Sequence, residues 1–182
     1  MKAMIAITLI GVVTLIVWLV AHLGGFDHVS LEAKDIGPLR LVYKHHFGAY
    51  HKIEPVIEEV EKWAHAHSEP CTQSFGEYID NPDTVDEDRL NSNGGCIVIA
   101  DWSRKTLPEG FTYREIPKRL FVVAGFDGAP SIGPIKVYPK AQQFILDQHL
   151  KPDGPVIETY ETQSEHAGKT RYFFPAARNS SS

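Results

Sequence analysis

The sequence predicts the α+β class, with two strand-helix-strand-strand (SHS2) repeats forming one domain behind a single N-terminal transmembrane helix. Residues 4–20 form an uncharged apolar run. The rest of the chain alternates between strand and helix patterns, in an order that recurs after about 80 residues. We therefore expect an anchor over residues 1–24, a folded domain over residues 25–178 and a disordered tail over residues 179–182.

The composition limits the function classes. The chain has 182 residues, of which 43% are hydrophobic and 23% charged, enough apolar surface for one buried core. Its formal net charge of −5 offers no basic surface to a phosphate backbone, so we expect no nucleic-acid partner. No spacing typical of a zinc site, a metalloprotease or a P-loop is present, and we expect no metal and no cofactor.

The apolar run is long enough to span a membrane. With its flanks it covers residues 4–23, roughly 20 residues, which crosses ~30 Å of hydrocarbon. The alternative is a cleaved signal peptide, but the end of the run offers no A-x-A cleavage site, which favours an uncleaved anchor. Lys2 precedes the run, so the positive-inside rule places the N-terminus in the cytoplasm and residues 25–182 on the far side of a single-pass membrane protein.

Each repeat is predicted to begin with an alternating strand and to continue with an amphipathic helix. Pro55 fits only the first turn of the first helix. A polar loop over residues 80–95 is expected between the last two strands of the first repeat. The predicted elements are 39–46 (strand), 50–67 (helix), 72–79 and 96–100 (strands), then 119–126 (strand), 135–150 (helix), 155–161 and 171–174 (strands).

The two cysteines are predicted to stay unpaired. The hairpin expected in the first repeat places Ile79 opposite Gly94, which sets Cys71 and Cys96 about six residues apart along the strands. At ~3.3 Å per residue they are roughly 20 Å apart, beyond the ~7 Å Cα separation that a disulfide tolerates. We expect two free thiols that pack as small core residues.

Four segments carry a resemblance to a known family. They are FGAY at 47–50, EYIDNP at 77–82, GGCIVI at 94–99 and PVIETYE at 155–161. Together they resemble the GyrI-like domain, a small-molecule-binding domain that also forms the effector-binding half of some AraC- and MerR-type transcription regulators. The resemblance covers residues 28–174. An apolar helix stands where those regulators have a helix-turn-helix region, so the chain resembles the membrane-anchored branch of the family.

The resemblance implies a pocket between the two repeats in which Glu158 faces a cationic or electrophilic aromatic ligand. The strand period places Val156, Glu158 and Tyr160 on one face, so a carboxylate stands among apolar and aromatic side chains. Such a carboxylate is costly to desolvate unless a ligand or a donor pairs with it. The alternative is that Glu158 lies on a solvated face, as most glutamates do.

Aromatic side chains complete the predicted ligand site. They are Tyr50, Tyr78, Trp102 and Tyr160, which could supply ring faces for a flat or cationic ligand. Tyr160 has the place in the second repeat that Tyr78 has in the first, and Gly76 stands where Glu158 does, so the pocket is expected to hold one acid. Glu77 points to the opposite face by strand parity.

Three function classes remain open. The leading one is a membrane-anchored domain that binds a small, cationic or aromatic molecule. The second is a hydrolase of electrophilic small molecules, with Glu158 as general base and a tyrosine as proton donor, although no second carboxylate is evident. The third is a membrane adaptor for an unknown protein partner. We expect no metal site, because His65 and His67 project apart on a helix and residues 80–88 lack the spacing of a calcium loop.

Overall fold

The computed structural model describes residues 2–129, 131–162 and 168–179, and over these residues it has the predicted α+β class. The expected tail lies outside the described residues from residue 180 onward. The elements are α1 Lys2–His22, β1 Ser30–Ile36, β2 Leu39–Phe47, α2 Glu54–Ala66, β3 Cys71–Tyr78, β4 Asn91–Val98, β5 Phe111–Ile116, β6 Arg119–Phe126, α3 Gly133–Asp147, β7 Leu150–Pro152, β8 Val156–Thr162 and β9 Gly168–Arg178. Short 3-10 turns occur at Tyr50–Lys52 and Glu87–Arg89.

The strands form one antiparallel sheet with the order β1-β6-β9-β8-β3-β4-β2-β5, and β7 pairs with β9. The two halves of the chain repeat one element order, since β2-α2-β3-β4 is followed by β6-α3-β8-β9 with the short β7 inserted. The halves meet at the centre of the sheet, where β3 pairs with β8 and Gly76 lies opposite Glu158. This seam is where side chains from both repeats come together.

Two strands absent from the sequence-based prediction lock the halves together. β1 precedes the first half but pairs with β6 of the second, and β5 precedes the second half but pairs with β2 of the first. The two ladders share one register, which runs from Ser30↔Gly125 through Ile36↔Arg119 to Leu39↔Ile116. At the join, Gly37 has a φ of +117° and a Cβ there would lie 3.0 Å from the Cα of Lys118, so only glycine fits.

The sheet buries apolar side chains on both faces. α2 and α3 pack on one face through stripes at helical spacing, with Ile57, Val60 and Ala64 buried on α2 and Val137, Ala141 and Ile145 buried on α3. The opposite face closes on a second cluster of Leu41, Phe75, Phe121, Val123, Ile157 and Phe173. The strands that supply these side chains are β2, β3, β6, β8 and β9, so both halves contribute to this second cluster.

α1 precedes the sheet, and its apolar side chains are exposed along its length. Residues Met4–His22 are long and apolar enough to cross a membrane, properties that a signal sequence shares. The helix ends in a Schellman motif, because Gly25 N donates to Val20 O (2.7 Å) and Gly24 N to Ala21 O (3.0 Å). Gly24 has the left-handed φ of +78° that this helix end requires.

The prediction of two free thiols is wrong, because Cys71 and Cys96 form a disulfide with a Cα separation of 5.2 Å. The β3–β4 ladder pairs Gly76 with Gly94, three residues away from the predicted pairing of Ile79 with Gly94. An irregularity between Cys71 and Gln73 shifts the register further. Both changes bring the two cysteines within reach of each other.

The predicted register is wrong because β4 begins at Asn91, inside the predicted polar loop. Its first residues are hydrophilic, and two of their side chains are held by hydrogen bonds. The Asn91 side chain donates to Asp80 (2.8 Å) and the Asn93 side chain donates to Glu77 (2.7 Å). A polar segment can therefore form a central strand when its amide side chains find partners within the sheet.

The disulfide yields a prediction for stability. We expect the double substitution of Cys71→Ser with Cys96→Ser to lower the free energy of unfolding by about 2–4 kcal/mol, because it frees a closed loop in the unfolded chain. Urea unfolding followed by circular dichroism measures the loss. Maleimide labelling of the denatured, unreduced chain should find no free thiol, and labelling of two thiols would contradict the pairing.

Candidate functional site

A cluster of five tyrosines around Glu158, namely Tyr50, Tyr78, Tyr138, Tyr160 and Tyr172, occupies the seam between the halves, on the sheet face that carries both helices. Glu158 on β8 lies opposite Gly76 of β3 on one side and opposite Tyr172 of β9 on the other. Residues opposite each other in a ladder point to the same face. Tyr172 packs in the apolar core under α3. Gly94 pairs with Gly76 on the other side, and a Cβ on Gly94 would meet the side chain of Ile57 on α2. Glu158 therefore lies between the two helices.

The Glu158 carboxylate is held by hydroxyl groups. Glu158 is only 6% exposed. The Tyr138 hydroxyl of α3 donates to one carboxylate oxygen at 2.9 Å. The Tyr160 hydroxyl lies 3.4 Å from the other oxygen, a longer and weaker contact, and shares a 2.7 Å hydrogen bond with the Tyr78 hydroxyl. The three hydroxyls form a connected group over one buried acid.

Burial dominates the electrostatics of this cluster. It raises the pKa of Glu158 to about 7, although the hydrogen bonds from Tyr138 and Tyr160 favour the ionised form. Burial also raises the pKa values of Tyr78, Tyr138 and Tyr160, and the nearby Glu158 carboxylate raises them further. The tyrosines therefore stay neutral donors, while Glu158 gains or loses its proton near neutral pH.

Gly76 provides the space for the two central hydroxyls. A Cβ at Gly76 would lie 2.9 Å from the Tyr78 hydroxyl and 3.2 Å from the Tyr160 hydroxyl. The pseudo-equivalent position in the second half carries Glu158. One half thus supplies the acid and the other supplies the room for the tyrosine pair, so the site is asymmetric although the fold repeats.

The structure brings four of the five predicted site residues together. Glu158, Tyr160 and Tyr78 are linked by hydrogen bonds, and the Tyr50 ring packs edge-on against Tyr78 with centroids 4.8 Å apart. The Tyr50 hydroxyl donates to the Asp80 carbonyl at 2.7 Å, which fixes its ring beside the cluster. In the described structure Trp102 lies apart from this group, in the cluster under α2, with its ring 4.9 Å from that of Trp63.

Two members of the cluster, Tyr138 and Tyr172, were missed by sequence reasoning. Tyr138 lies on α3 beside the buried stripe residue Val137, and its ring packs edge-on against Phe174 at 5.2 Å. A tyrosine next to an apolar helix stripe usually has a hydroxyl partner, and this signal could have pointed to Glu158. Tyr172 stands in a predicted strand, but its ladder position opposite Glu158 depended on a register that the sequence did not provide.

Glu77 lies on the other face of the sheet, as strand parity predicts. It accepts hydrogen bonds from Asn93 (2.7 Å) and Arg114 (2.6 Å), so its charge is already paired. It lines a cavity of about 240 Å³ together with Arg114, Arg119 and several prolines. Within the described ranges, no group of three or more His, Cys, Asp or Glu side chains is placed to hold a metal ion.

Comparisons with known proteins agree with this architecture. The family profile described as a GyrI-like small molecule binding domain matches residues 31–177. The EcmrR C-terminal domain superposes with a TM-score of 0.66 at 18% identity, over 82% of this chain and 98% of that one. A hydrolase from Listeria innocua has a TM-score of 0.55 at 11% identity, over 87% of this chain and 98% of its own.

A third solved structure is that of SAV2435 bound to tetraphenylphosphonium, with a TM-score of 0.52 at 10% identity, over 81% of this chain and 94% of that one. At these identities the similarity shows the fold alone. No curated protein matches the chain at a significant level.

Glu158 should make the stability of the chain depend on pH. Because its pKa is about 7 in the fold and about 4.5 when unfolded, its protonated form is favoured by folding. The resulting stabilisation is complete below about pH 4.5 and is lost as the pH rises through 7. Relative to Glu158→Gln, the wild-type free energy of unfolding should fall by up to about 3 kcal/mol between about pH 4.5 and about pH 8.

Urea unfolding in detergent micelles across this pH range measures the difference. The matched control is Glu109→Gln, which removes an exposed carboxylate and should give a profile parallel to wild type. A Glu158→Gln profile that also runs parallel to wild type would contradict the raised pKa.

Proposed function

Because the chain belongs to the GyrI-like small-molecule-binding domain family, we propose that it binds a small cationic aromatic molecule between its two repeats, with Glu158 as the polar anchor. One observation carries the proposal. Glu158 is a nearly fully buried carboxylate whose hydrogen-bond partners among the described residues are neutral hydroxyls. An ionised carboxylate in such a place lacks a countercharge, and a ligand cation would supply it.

The tyrosine cluster is suited to the rest of such a ligand. Aromatic faces attract a cation through the ring quadrupole and offer flat apolar surface to aromatic substituents. Tyr50, Tyr78, Tyr138 and Tyr160 would supply these faces. The hydroxyls of Tyr138 and Tyr160 contact the carboxylate, so a ligand that pairs with Glu158 has to displace at least one of them.

Ligand charge and the Glu158 proton are linked in this proposal. Below pH 7 the acid is mostly protonated and neutral, which lets the empty site remain buried at low cost. A bound cation favours the carboxylate, so binding would release a proton in this range. The tetraphenylphosphonium bound by SAV2435 is a lipophilic aromatic cation, which supports this ligand class for a domain of the same fold.

We further propose that α1 is an uncleaved membrane anchor and that the chain belongs to the membrane-anchored branch of the family. Residues 1–24 would form the anchor and residues 25–178 the ligand-binding domain. The Cys71–Cys96 disulfide supports a domain on the non-cytoplasmic side, because disulfides persist in oxidising compartments. That side agrees with a cytoplasmic N-terminus as expected from Lys2.

A hydrolase is the second candidate. The observation that favours it is a carboxyl group with a pKa of about 7 in direct contact with a tyrosine hydroxyl, a pairing that can act as general base and proton donor. Binding is preferred because the contacts of Glu158 include no second carboxylate among the described residues.

Tetraphenylphosphonium binding tests the leading proposal. Isothermal titration of the full chain in detergent micelles should show saturable binding to wild type and to Glu109→Gln, and at least a tenfold weaker affinity for Glu158→Gln, which is about 1.4 kcal/mol. Because the cation binds the ionised form, wild-type affinity should rise about tenfold per pH unit below pH 7 and level off above it. Equal affinity of Glu158→Gln and wild type would overturn the assignment.

Product analysis separates the two candidates. If the site only binds, the wild-type chain should hydrolyse an aromatic epoxide no faster than Glu158→Gln does. Turnover by wild type that Glu158→Gln abolishes would instead establish the hydrolase, with Glu158 as the base.

A further inference from the structure

The end of the anchor is fastened to the domain by one side chain of α3. The Lys136 ammonium donates to three backbone carbonyls that follow α1, those of Gly24 (3.0 Å), Gly25 (2.8 Å) and Asp27 (2.7 Å). Ala129 N donates to the carbonyl of Leu23 at 3.0 Å. These bonds satisfy carbonyls at a helix C-terminus that would otherwise need water. The domain is therefore docked directly on the exit of the helix, without a flexible tether.

Two large apolar side chains are exposed at this junction. Phe26 is 73% exposed and Ile135 is 75% exposed. Phe26 stands between Gly25 and Asp27, whose carbonyls both accept from Lys136, and Ile135 immediately precedes Lys136 on α3. The same ammonium thus holds both side chains next to the end of α1.

The length of α1 fixes the depth of this junction if the helix spans a bilayer. The apolar segment Met4–His22 has 19 residues. At ~1.5 Å per residue it spans about 28 Å, close to the ~30 Å of hydrocarbon in a bilayer. The residues that follow it therefore fall in the headgroup layer, which adds several ångströms on each side. Trp18, one turn before the end of α1 and 60% exposed, lies at a depth where interfacial aromatics are common.

We propose that Phe26 and Ile135 form a membrane-contact surface that inserts into the interfacial layer of the bilayer crossed by α1. This inference rests on the anchoring proposed above. The partner is a phospholipid surface engaged by apolar insertion. The cations near the junction, Lys136, Lys169 and Arg171, are matched in number by the acids Asp27, Glu32 and Asp127, so there is no excess of positive charge for anionic lipid. Tyr138, which contacts Glu158, is two residues from Lys136, so the contact surface and the ligand site share the first turns of α3.

Tryptophan scanning in the full chain tests the surface. Single Phe26→Trp and Ile135→Trp variants, reconstituted in phosphatidylcholine nanodiscs, should each add blue-shifted emission that brominated phosphatidylcholine quenches and that acrylamide quenches several-fold less than a water-exposed site. The matched control is Phe47→Trp. Phe47 is 62% exposed and ends β2, which runs opposite to β6 in the sheet, so it lies at the edge away from the anchor.

The outcomes are distinguishable. Acrylamide quenching at residues 26 and 135 equal to that at residue 47 would overturn the membrane-contact surface while leaving the anchor intact. If the wild-type chain does not float with phosphatidylcholine vesicles after a carbonate wash, both the membrane anchor and the membrane-contact surface are contradicted. Neither result alters tetraphenylphosphonium binding at Glu158, which is measured separately.

Lys136 provides a second, independent variant. Substitution of Lys136→Gln in the Ile135→Trp background removes the ammonium that holds the junction, and we expect acrylamide quenching at residue 135 to rise toward the value at residue 47. If acrylamide quenching at residue 135 stays unchanged and brominated phosphatidylcholine still quenches it fully, Lys136 does not position the surface. The control substitution Lys140→Gln, on an exposed part of α3, should leave the quenching as it is.

Discussion

The proposed function depends on one buried carboxylate that has no cationic hydrogen-bond partner among the described residues. Glu158 stands where the two halves of the sheet meet, and its described partners are the hydroxyls of Tyr138 and Tyr160. A charge there is costly and a neutral acid is tolerable, which is why burial raises its pKa to about 7. Under the proposed function, a bound cation would stabilise the ionised form of this carboxylate.

The sheet holds this group in place because neither half is complete alone. β1 and β5 are exchanged between the halves, and the β3–β8 ladder carries Gly76 and Glu158 across the seam. The interlocking fixes the register at the seam, where a slip of one residue would turn Glu158 to the opposite face. The Cys71–Cys96 disulfide closes the outer end of β3 on β4 and supports the same register.

The sequence was sufficient for the parts that depend on local periodicity. Strand parity separated Glu158 from Glu77, and the repeat matched Tyr78 with Tyr160, whose hydroxyls are 2.7 Å apart. It failed where pairing decides the outcome. β1 carries charged side chains and an exposed pattern, so only its ladder with β6 identifies it as a strand. Predicting the cysteine pairing and the position of Tyr172 requires the strand registers. Predicting the contact of Tyr138 with Glu158 requires knowing which face of α3 packs on the sheet. These relations join residues far apart in the chain, and local patterns do not encode them.

Infrared difference spectroscopy on the Glu158 carboxyl group tests the central claim most directly. At pH 6 we expect a protonated-carboxyl band in the wild-type chain that is missing in Glu158→Gln. This band should disappear, with a gain of carboxylate absorption, when tetraphenylphosphonium saturates the site. A wild-type band that persists unchanged at saturation, or that is already absent at pH 6, would contradict the account.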